Sequence, residues 1–350
     1  MPTKSQIVRE DIARVARDVS CLTTLRGQSV VITGGTGFLG TWLTELLAYL
    51  NDVHGFNIEI NLLATRPTEF ADQAPHLAGR ADVNLIACDV SNLVELPWRA
   101  QYIIHAAASP DNRQHASDPL RTIRTIVHGT HAVMEAASRL SDLKGVLHIS
   151  SGQVYGVRPV DAIPINEQSF EGFDSTSITN VYAEAKRMAE GIASAYRSQH
   201  RLPIVTIRPF SFVGPYQSLE RPWAINNFIR DTLHDGPVRI QGDGLTTRGY
   251  MYGADLAWWV LNLLVQAESG HVYNVGNPHA ISLIELARMV TSLMPVPPRV
   301  TTGSFGESVP KTAFIPDTSA AMRDFDLTCV FDLPEALRRT IQWHLAAQAD

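Results

Sequence analysis

A glycine-rich turn near the start of the chain constrains its fold more than any other feature. The apolar run Val30-Val31-Ile32 leads into Thr33, glycines follow at positions 34, 37 and 40, and the residues from Thr41 onward show helical periodicity. A buried strand, a tight turn and a helix in this order form the first βα unit of dinucleotide-binding folds. We therefore predict an α/β protein with a doubly wound parallel sheet.

Each glycine of this turn has a predicted role. Gly34 permits the turn, Gly37 lets the backbone approach a pyrophosphate without a Cβ in the way, and Gly40 allows close packing of the helix. The helix N-terminus, which includes Phe38 and Leu39, offers free N–H groups and the positive end of the helix dipole to the phosphates. These five residues are the predicted pyrophosphate contacts of a dinucleotide.

Composition and charge exclude several classes of protein. A length of 350 residues suits one large domain or two intimate ones, and a net charge of −6 offers no basic surface for nucleic acid. No apolar run approaches the ~18 residues of a membrane span, and the first residues lack the apolar segment of a signal peptide. The 3 cysteines and 12 histidines show no metal-ligand spacing. We expect a cytoplasmic protein that binds neither nucleic acid, membrane nor metal.

The segments after the turn alternate between strand and helix patterns. Apolar runs predict four further strands, at 58–64, 83–90, 101–108 and 145–151. A long helix is predicted from Asp118 to Arg139, and a short amphipathic helix precedes the first strand, from Lys4 to Val19. This alternation favours a Rossmann-type sheet with helices on both faces.

The ends of the second, third and fourth strands carry the predicted contacts to the rest of the dinucleotide. Thr65-Arg66 ends the second strand without a carboxylate for the ribose hydroxyls, and an arginine there accommodates a 2′-phosphate, so NADP(H) is slightly favoured over NAD(H). Asp89, followed by Val90, lies where an adenine amino group can be bound. The fourth strand ends in small residues against which a cofactor lies flat, namely Ala106, Ala107 and Ala108.

A serine, a tyrosine and a lysine form the candidate catalytic set. Ser151 ends the fifth strand, and Tyr182 and Lys186 stand four positions apart, on one face of a helix. A tyrosine with an ordinary pKa of about 10 needs a neighbouring cation and a hydrogen-bond partner to exchange protons at neutral pH. Lys186, with an oxidised nicotinamide, supplies the charge and Ser151 the hydrogen bond. Tyr182 and Lys186 are therefore predicted to contact the cofactor as well.

Together with the glycine turn, these residues resemble the extended short-chain dehydrogenases/reductases that modify nucleotide sugars. The resemblance covers nearly the whole chain from Leu25 onward. Its motifs are TGGTGFLG at 33–40, SSGQVYG at 150–156, RPFSFVGP at 208–215 and QGDGLTTRGY at 241–250. The segments at 108–110, 118–120 and 129–130 are most similar to UDP-glucuronate decarboxylases and dTDP-glucose 4,6-dehydratases.

The resemblance implies how the chain is divided and what it binds. The expected parts are a helical extension over 1–25, a dinucleotide-binding domain over 26–205 and a smaller α/β region over 206–350 that binds a nucleotide-diphosphate sugar. Arg248 matches the family arginine on the diphosphate, which a guanidinium suits because it makes paired hydrogen bonds, and Pro209 matches a cofactor contact. The other implied substrate contacts are Ser109, Gln153, Ser211, Asn226, Asn227 and Arg239.

The resemblance also implies a homodimer. Family members pair two long helices per subunit into a four-helix bundle. In this chain those helices begin near Asp118 and Tyr182. We therefore expect two copies of the chain to associate through these helices.

Departures from the family pattern bear on the reaction. The 4,6-dehydratases carry an Asp-Glu pair after the catalytic Ser or Thr, and the decarboxylases keep the Glu, whereas this chain has Gly152 and Gln153. An amide does not exchange protons as a carboxylate does, so elimination is disfavoured unless another carboxylate such as Glu184 replaces the pair. Ile126 replaces the family asparagine of the long helix, which affects the proton relay behind the lysine. Ser211 replaces the asparagine before the V-G-P turn.

The residues that remain suit redox chemistry at a sugar carbinol. The favoured function is a 4-ketoreductase that reduces a dTDP-type 4-keto-6-deoxyhexose with NADPH, because Thr65-Arg66 suits a consumed reductant. A redox-neutral 4-epimerase with retained NAD is the next alternative, followed by a 4,6-dehydratase or a UDP-glucuronate decarboxylase. A non-enzymatic cofactor-binding scaffold comes last, because Ser151, Tyr182 and Lys186 are all present.

Overall fold

The computed structural model describes residues 2–96, 99–156, 158–159, 164–170, 172, 174–303 and 312–346. The strands of the described residues are β1 (Ser29–Thr33), β2 (Glu59–Ala64), β3 (Val83–Ala87), β4 (Ala100–His105), β5 (Gly145–Ile149), β6 (Arg158–Pro159), β7 (Ile204–Pro209), β8 (Ser211–Val213), β9 (Val238–Ile240), β10 (Thr247–Arg248), β11 (Tyr250–Tyr252), β12 (Val272–Val275), β13 (Ile281–Ser282), β14 (Val300–Thr302) and β15 (Thr312–Phe314).

The α-helices of the described residues are α1 (Lys4–Val15), α2 (Phe38–His54), α3 (Thr68–Gln73), α4 (Pro75–Ala78), α5 (Asn112–Ser117), α6 (Pro119–Ile123), α7 (Gly129–Ala137), α8 (Val181–His200), α9 (Ala224–Leu233), α10 (Gly253–Gln266), α11 (Leu283–Ser292), α12 (Ser319–Phe325) and α13 (Leu333–Leu345). Short 3₁₀-helices lie at Ser20–Leu25, Val90–Asn92, Gly152–Tyr155 and Ile178–Asn180. A π-helical turn, Arg124–His128, joins α6 to α7, so the predicted long helix is continuous from Pro119 to Ala137.

Seven parallel strands form the central sheet, in the order β12-β7-β5-β4-β1-β2-β3. This order confirms the predicted doubly wound fold. The strand order reverses between β1 and β4, and ligands of such sheets bind in the crevice at that reversal. β2 ends at Ala64 as predicted, whereas β3, β4 and β5 end two or three residues earlier than predicted, at Ala87, His105 and Ile149. The residues after these strands leave the ladder and line the crevice instead.

Apolar side chains cover both faces of the central sheet. Ile32 of β1 belongs to the larger core cluster, which includes much of α2 and α10. Val31, its neighbour, belongs to a second cluster that includes Val133 of α7 and Ala193 of α8. Burial on both faces explains why these strands read as continuous apolar runs in the sequence.

The second half of the chain adds smaller sheets and also extends the central one. Strands β13, β10, β15 and β6 form one small sheet, while β11 pairs with β8 and β14 with β9. Helices α9 and α11 pack on β9. Because β12 returns to the central sheet beside β7, the regions before and after residue 205 share that sheet.

The amino-terminal helix packs on the core of its own chain. Helix α1 contacts α2, α10 and α13, and it ends at Val15 rather than at the predicted Val19. Asp11 is fully buried and accepts hydrogen bonds from Tyr252 Oη at 2.6 Å and from Arg339 Nε at 2.7 Å. A buried carboxylate is tolerated when a cation and a hydroxyl satisfy it. These hydrogen bonds link helices α1 and α13 to strand β11.

Candidate active site

The turn after β1 has the backbone geometry of a phosphate-binding turn. Gly34 has φ = +69°, and a Cβ there would lie 2.9 Å from Ala107 Cα. Gly37 is the exposed N-cap of α2, and a Cβ on it would approach only Gly34 O, at 3.3 Å. A Cβ on Gly40 would collide with Gly35, so the helix rests directly on the turn. The open cradle at Gly37 fits a dinucleotide pyrophosphate.

The other predicted pyrophosphate contacts lie around this cradle. Phe38 and Leu39 are half-buried in the first turn of α2, where backbone N–H groups have no partner within the helix. Ala106, Ala107 and Ala108 follow β4 and are half-buried beside Gly34. The structure therefore brings the glycine turn and the small residues of the fourth strand to the same edge of the sheet.

The end of β2 differs from its sequence interpretation in one respect. Thr65 and Arg66 are exposed there as predicted, but Arg66 Nη1 forms an ion pair with Glu69 Oε1 at 2.7 Å. Thr65 and Arg66 themselves carry no carboxylate. The first turn of α3 nevertheless places the carboxylate of Glu69 beside Arg66. A carboxylate at this position repels a 2′-phosphate, since like charges placed together raise the free energy of binding.

The two residues predicted at the adenine end are arranged differently from each other. Asp89 is exposed, and its Oδ1 accepts hydrogen bonds from the Ser91 amide at 3.0 Å and from Ser91 Oγ at 2.7 Å. These hydrogen bonds lower the pKa of Asp89. Val90 is buried, and a Cβ on Gly129 would lie 2.7 Å from Val90 Cγ2. Val90 therefore packs against the long helix, while the Asp89 carboxylate remains at the surface.

Ser151, Tyr182 and Lys186 come together at the carboxyl end of β5. The Ser151 hydroxyl lies near Tyr182 and accepts a hydrogen bond from the Gln153 amide at 3.1 Å. Burial raises the pKa of Tyr182 to about 12, and the nearby Ser151 hydroxyl opposes that rise. Lys186 Nζ lies 6.0 Å from the centre of the Tyr182 ring.

A buried network behind Lys186 holds it in place. Its Nζ donates to Ile149 O at 2.7 Å, and burial lowers its pKa to about 8, while the charge of Glu190 acts in the opposite direction. Glu190 in turn accepts two hydrogen bonds from Arg208, at 2.9 Å and 2.7 Å, and one from Ser150 Oγ at 2.5 Å. The sequence analysis did not identify Glu190 or Arg208, although Glu190 lies one helical turn after Lys186.

Aromatic rings fill the space beside Ser151 where dehydratases have a carboxylate. A Cβ on Gly152 would lie 2.8 Å from Phe314 Cζ and 2.9 Å from Phe210 Cε2. The two rings contact each other, with centroids 4.5 Å apart. The side chain of Gln153 is exposed. No acidic side chain can therefore project from position 152 without displacing both rings.

Arg248 is a half-buried cation whose recorded partners are uncharged. Its guanidinium donates to Thr247 O at 2.8 Å and to Thr312 O at 3.3 Å, and it lies 5.7 Å from the centre of the Phe314 ring. Burial lowers its pKa. A guanidinium without a carboxylate partner among the described residues suits an anionic ligand.

The other implied substrate contacts fall into two groups. Asn226 is buried, and its Nδ2 donates to Ser218 O at 2.7 Å, so it holds the loop that precedes α9. Pro209 is buried in β7. The remaining implied contacts are half-buried or exposed: Ser109, Ser211, Asn227 and Arg239.

Two features of the site were not predicted from the sequence. The ring of His115 stacks on Tyr182, with centroids 4.4 Å apart. Asp111 forms ion pairs with Arg113 and with Arg221, each at 3.0 Å, so two loops separated by 110 positions meet at this carboxylate. These ion pairs lower the pKa of Asp111 to about 2. Neither contact has a local sequence signal, because each joins segments that only the fold brings together.

Across the described ranges, no group of His, Cys, Asp and Glu side chains could hold a metal ion. Within the same part of the chain, none of the helices is long and apolar enough to cross a bilayer.

The fold and the Ser–Tyr–Lys arrangement define the class of an extended short-chain dehydrogenase/reductase. Residues 30–276 match the NAD dependent epimerase/dehydratase family. The chain belongs to this family of enzymes. Both the predicted fold and the predicted family are thereby confirmed.

Individual relatives of known activity are distant. UDP-glucuronic acid decarboxylase 1 of Arabidopsis thaliana is 29% identical over 267 residues, which are 76% of this chain and 58% of the relative. A trifunctional UDP-glucose 4,6-dehydratase/UDP-4-keto-6-deoxy-D-glucose 3,5-epimerase/UDP-4-keto-L-rhamnose-reductase of the same plant is 24% identical over 334 residues, which are 92% of this chain and 48% of the relative. The chain thus spans about half the length of these curated relatives.

Solved structures share the fold across nearly the whole chain. UDP-glucuronic acid 4-epimerase of Bacillus cereus, in complex with UDP-glucuronic acid and NAD, superposes with a TM-score of 0.77 at 22% identity. The match covers 90% of this chain and 98% of that one. dTDP-glucose 4,6-dehydratase of Bacillus anthracis, in complex with NAD, has a TM-score of 0.75 at 19% identity, with coverages of 91% and 96%. At these identities the likeness concerns the fold.

Proposed function

We propose that the chain transfers a hydride at C4 of the hexose of a nucleotide-diphosphate sugar and does not eliminate water. The packing of Gly152 carries this proposal, because Phe210 and Phe314 fill the space into which an acid–base carboxylate would project. The amide of Gln153 exchanges no proton at neutral pH. Glu184 stands two positions after Tyr182, and residues two apart on a helix do not face each other.

The three residues at the end of β5 suffice for proton transfer at a carbinol. In the direction of oxidation, the Tyr182 phenolate takes the proton of the C4 hydroxyl while the hydride leaves C4, and the reverse step returns both. The Ser151 hydroxyl donates a hydrogen bond to the same sugar oxygen. The ammonium of Lys186 stabilises the phenolate through its charge. The bound dinucleotide supplies the hydride acceptor and donor.

Arg248 is the proposed contact of the sugar nucleotide's diphosphate. Its guanidinium is half-buried, and the partners it has in the part of the chain that the structure describes are uncharged hydroxyl and carbonyl groups of Thr312 and Thr247. Charge-assisted hydrogen bonds to a phosphate are stronger than those to a neutral acceptor. The curated relatives in the comparisons are named for reactions of UDP-sugars, which supports a nucleotide-diphosphate sugar as the substrate class.

We further propose that the reaction is redox-neutral 4-epimerisation with retained NAD. Glu69 beside Arg66 disfavours a 2′-phosphate, and the family is described as NAD dependent. A net reduction with NADPH, which the sequence favoured, is the second candidate. It is supported by the exposure of Arg66 at the end of β2, since an exposed ion pair of this kind contributes only about 0–1 kcal/mol and can open.

Product analysis with a bound-cofactor assay tests these proposals. The purified protein is denatured, any released dinucleotide is identified by mass, and fresh enzyme is incubated with UDP-sugars and with a dTDP-4-keto-6-deoxyhexose plus NADPH. We expect retained NAD, a C4 epimer as product and no net loss of NADPH. Tyr182→Phe serves as the inactive control.

Each other result changes the assignment in a defined way. Steady consumption of NADPH with the keto sugar would replace the epimerase by the 4-ketoreductase. A 4-keto-6-deoxy product from a UDP- or dTDP-hexose would contradict the proposal that elimination does not occur. Release of carbon dioxide from UDP-glucuronate would replace the epimerase by a decarboxylase, which also begins with hydride transfer at C4 but eliminates no water.

A further inference from the structure

The candidate catalytic tyrosine has a histidine lying flat against it. The rings of His115 and Tyr182 have centroids 4.4 Å apart and planes that differ by 10°. The side chain of His115 is 6% exposed, so the contact is internal to the site. The phenol ring also packs in an apolar cluster with Ile126, Ala185 and Ala189. None of these apolar side chains can hold the ring by a hydrogen bond.

A short hydrogen bond fixes the orientation of the imidazole. His115 Nε2 lies 2.7 Å from Ser109 O. A carbonyl oxygen only accepts, so Nε2 carries the hydrogen and donates it. Ser109 directly follows the small residues at the end of β4, which belong to the cofactor crevice. The plane of the imidazole is therefore set by backbone that is part of the site.

The short helix that carries His115 is anchored at its start. Asp111 caps α5 by accepting from the Arg113 amide at 3.0 Å. The same carboxylate pairs with the guanidinium groups of Arg113 and Arg221, each at 3.0 Å. Asp111 itself is buried, so this anchor is screened from solvent on one side. Through Arg221, the loop before α9 contributes to the position of His115.

We propose that His115 is a positioning residue, which fixes the plane of the Tyr182 phenol so that its hydroxyl stays at Ser151 and at the reacting oxygen. This proposal rests on the proposed function, because it assigns a role to Tyr182 in proton transfer. Stacked aromatic pairs stabilise each other beyond their burial, and this favours one orientation of the Tyr182 ring. A displacement of the reacting group by roughly 1 Å lowers the rate by as much as about 100-fold.

Two variants of His115 and one matched control separate positioning from general packing. His115→Leu removes the flat face, whereas His115→Phe keeps it and loses only the hydrogen bond to Ser109. The control is His131→Leu, because His131 forms a second histidine–tyrosine pair between α7 and α8, with Tyr196 at 5.6 Å, away from Ser151. Urea unfolding confirms that each variant is folded under the assay conditions.

The expected result is a loss of turnover without a loss of binding. His115→Leu should lower kcat by about 10- to 100-fold, with KM for the sugar nucleotide and Kd for the dinucleotide within about twofold of the wild type. His115→Phe should recover most of that loss, and His131→Leu should match the wild type. A wild-type kcat in His115→Leu, an equal loss in His131→Leu, or a raised KM at constant kcat would overturn the proposal.

The position of the tyrosine ring is also measurable without turnover. In protein labelled at the tyrosine rings, the NMR signal of Tyr182 is identified by its absence in Tyr182→Phe. We expect His115→Leu to shift this signal strongly and to speed up flipping of the ring, and His115→Phe to preserve slow flipping. An unchanged Tyr182 signal in His115→Leu would overturn the positioning role. An inactive wild type with the expected NMR result would instead count against the proposed reaction.

Discussion

Gly152 lies in contact with Phe210, so that a Cβ added to the glycine would be 2.9 Å from Phe210 Cε2. Phe314 closes the same space from a second direction. The two rings thus form an apolar wall directly after Ser151, at the position where an elimination reaction needs an acid and a base. The wall explains in physical terms why the carboxylate missing at position 152 cannot simply be restored by substitution.

The first prediction concerns the stability of this wall. Gly152→Ala should lower the free energy of unfolding by about 1–3 kcal/mol, because an added methyl group in a filled space displaces neighbouring rings. Gln153→Ala is the matched control, since its side chain is exposed, and it should change stability by less than about 0.5 kcal/mol. Urea unfolding followed by fluorescence measures both. Equal stabilities of Gly152→Ala and the wild type would mean that the rings of Phe210 and Phe314 move aside at no cost in free energy.

The second prediction concerns cofactor choice. Glu69→Ala should increase the preference for NADP over NAD by about 5- to 10-fold, because it removes a negative charge beside Arg66 and frees that guanidinium for a 2′-phosphate. The ratio of the two dissociation constants, from quenching of protein fluorescence, measures the change. Arg66→Ala should have the opposite effect on NADP binding. An unaltered ratio in Glu69→Ala would place the ribose away from this ion pair.

The third prediction concerns the diphosphate of the sugar nucleotide. Arg248→Met keeps the aliphatic stem near Phe314 but removes the charge. We expect KM for the sugar nucleotide to rise by about 10- to 100-fold, which corresponds to the roughly 1.5–3 kcal/mol of a charged hydrogen bond, while dinucleotide binding stays constant. Arg323→Met, at an exposed ion pair with Asp324, is the control. A parallel loss of dinucleotide binding would assign Arg248 to the cofactor instead.

The parts of the site with a local signal could be predicted from the sequence. Gly34 has a positive φ and lies close to Ala107. Both features require glycine, so the turn is visible in the sequence as glycines at a fixed spacing. Tyr182 and Lys186 lie one helical turn apart, so their common face follows from helix geometry alone. The end of β4 was predicted too late, because the residues after His105 are small and apolar and continue the strand pattern although they have left the sheet.

The remaining parts depend on contacts between distant segments. Glu69 is an exception, since it lies only three residues after Arg66, but their ion pair depends on the start of α3 soon after β2, which the strand-end pattern does not include. The stack of His115 on Tyr182 joins two helices that the sequence presents separately. Likewise, the wall around Gly152 uses Phe314, which comes from the last strand of a small sheet. Such contacts follow from the tertiary arrangement, which residue spacing does not specify.

The fourth prediction concerns the expected homodimer. Helices α6 and α8 pack together and present exposed apolar side chains, with Leu120 at 72% and Met188 at 57% exposure. We expect a dimeric mass by light scattering at micromolar concentration and a monomeric mass for Met188→Asp, because a buried unpaired charge disfavours the interface. Val296→Asp, at an exposed residue outside these helices, should remain dimeric. A monomeric wild type would refute the prediction.

The fifth prediction follows from the burial of Lys186. Its ordinary pKa of 10.5 falls to about 8 in the folded chain, so between these values the unfolded chain holds more protons than the folded one. The free energy of unfolding should therefore rise with pH across that interval, by up to about 1.4 kcal/mol per pH unit, and the contribution should be absent in Lys186→Met. Subtracting the variant's urea-unfolding curve from that of the wild type at each pH cancels the titration of the other groups. A difference that stays flat from pH 8 to pH 10 would show that Lys186 keeps its ordinary pKa, and its charge would then persist well above neutral pH.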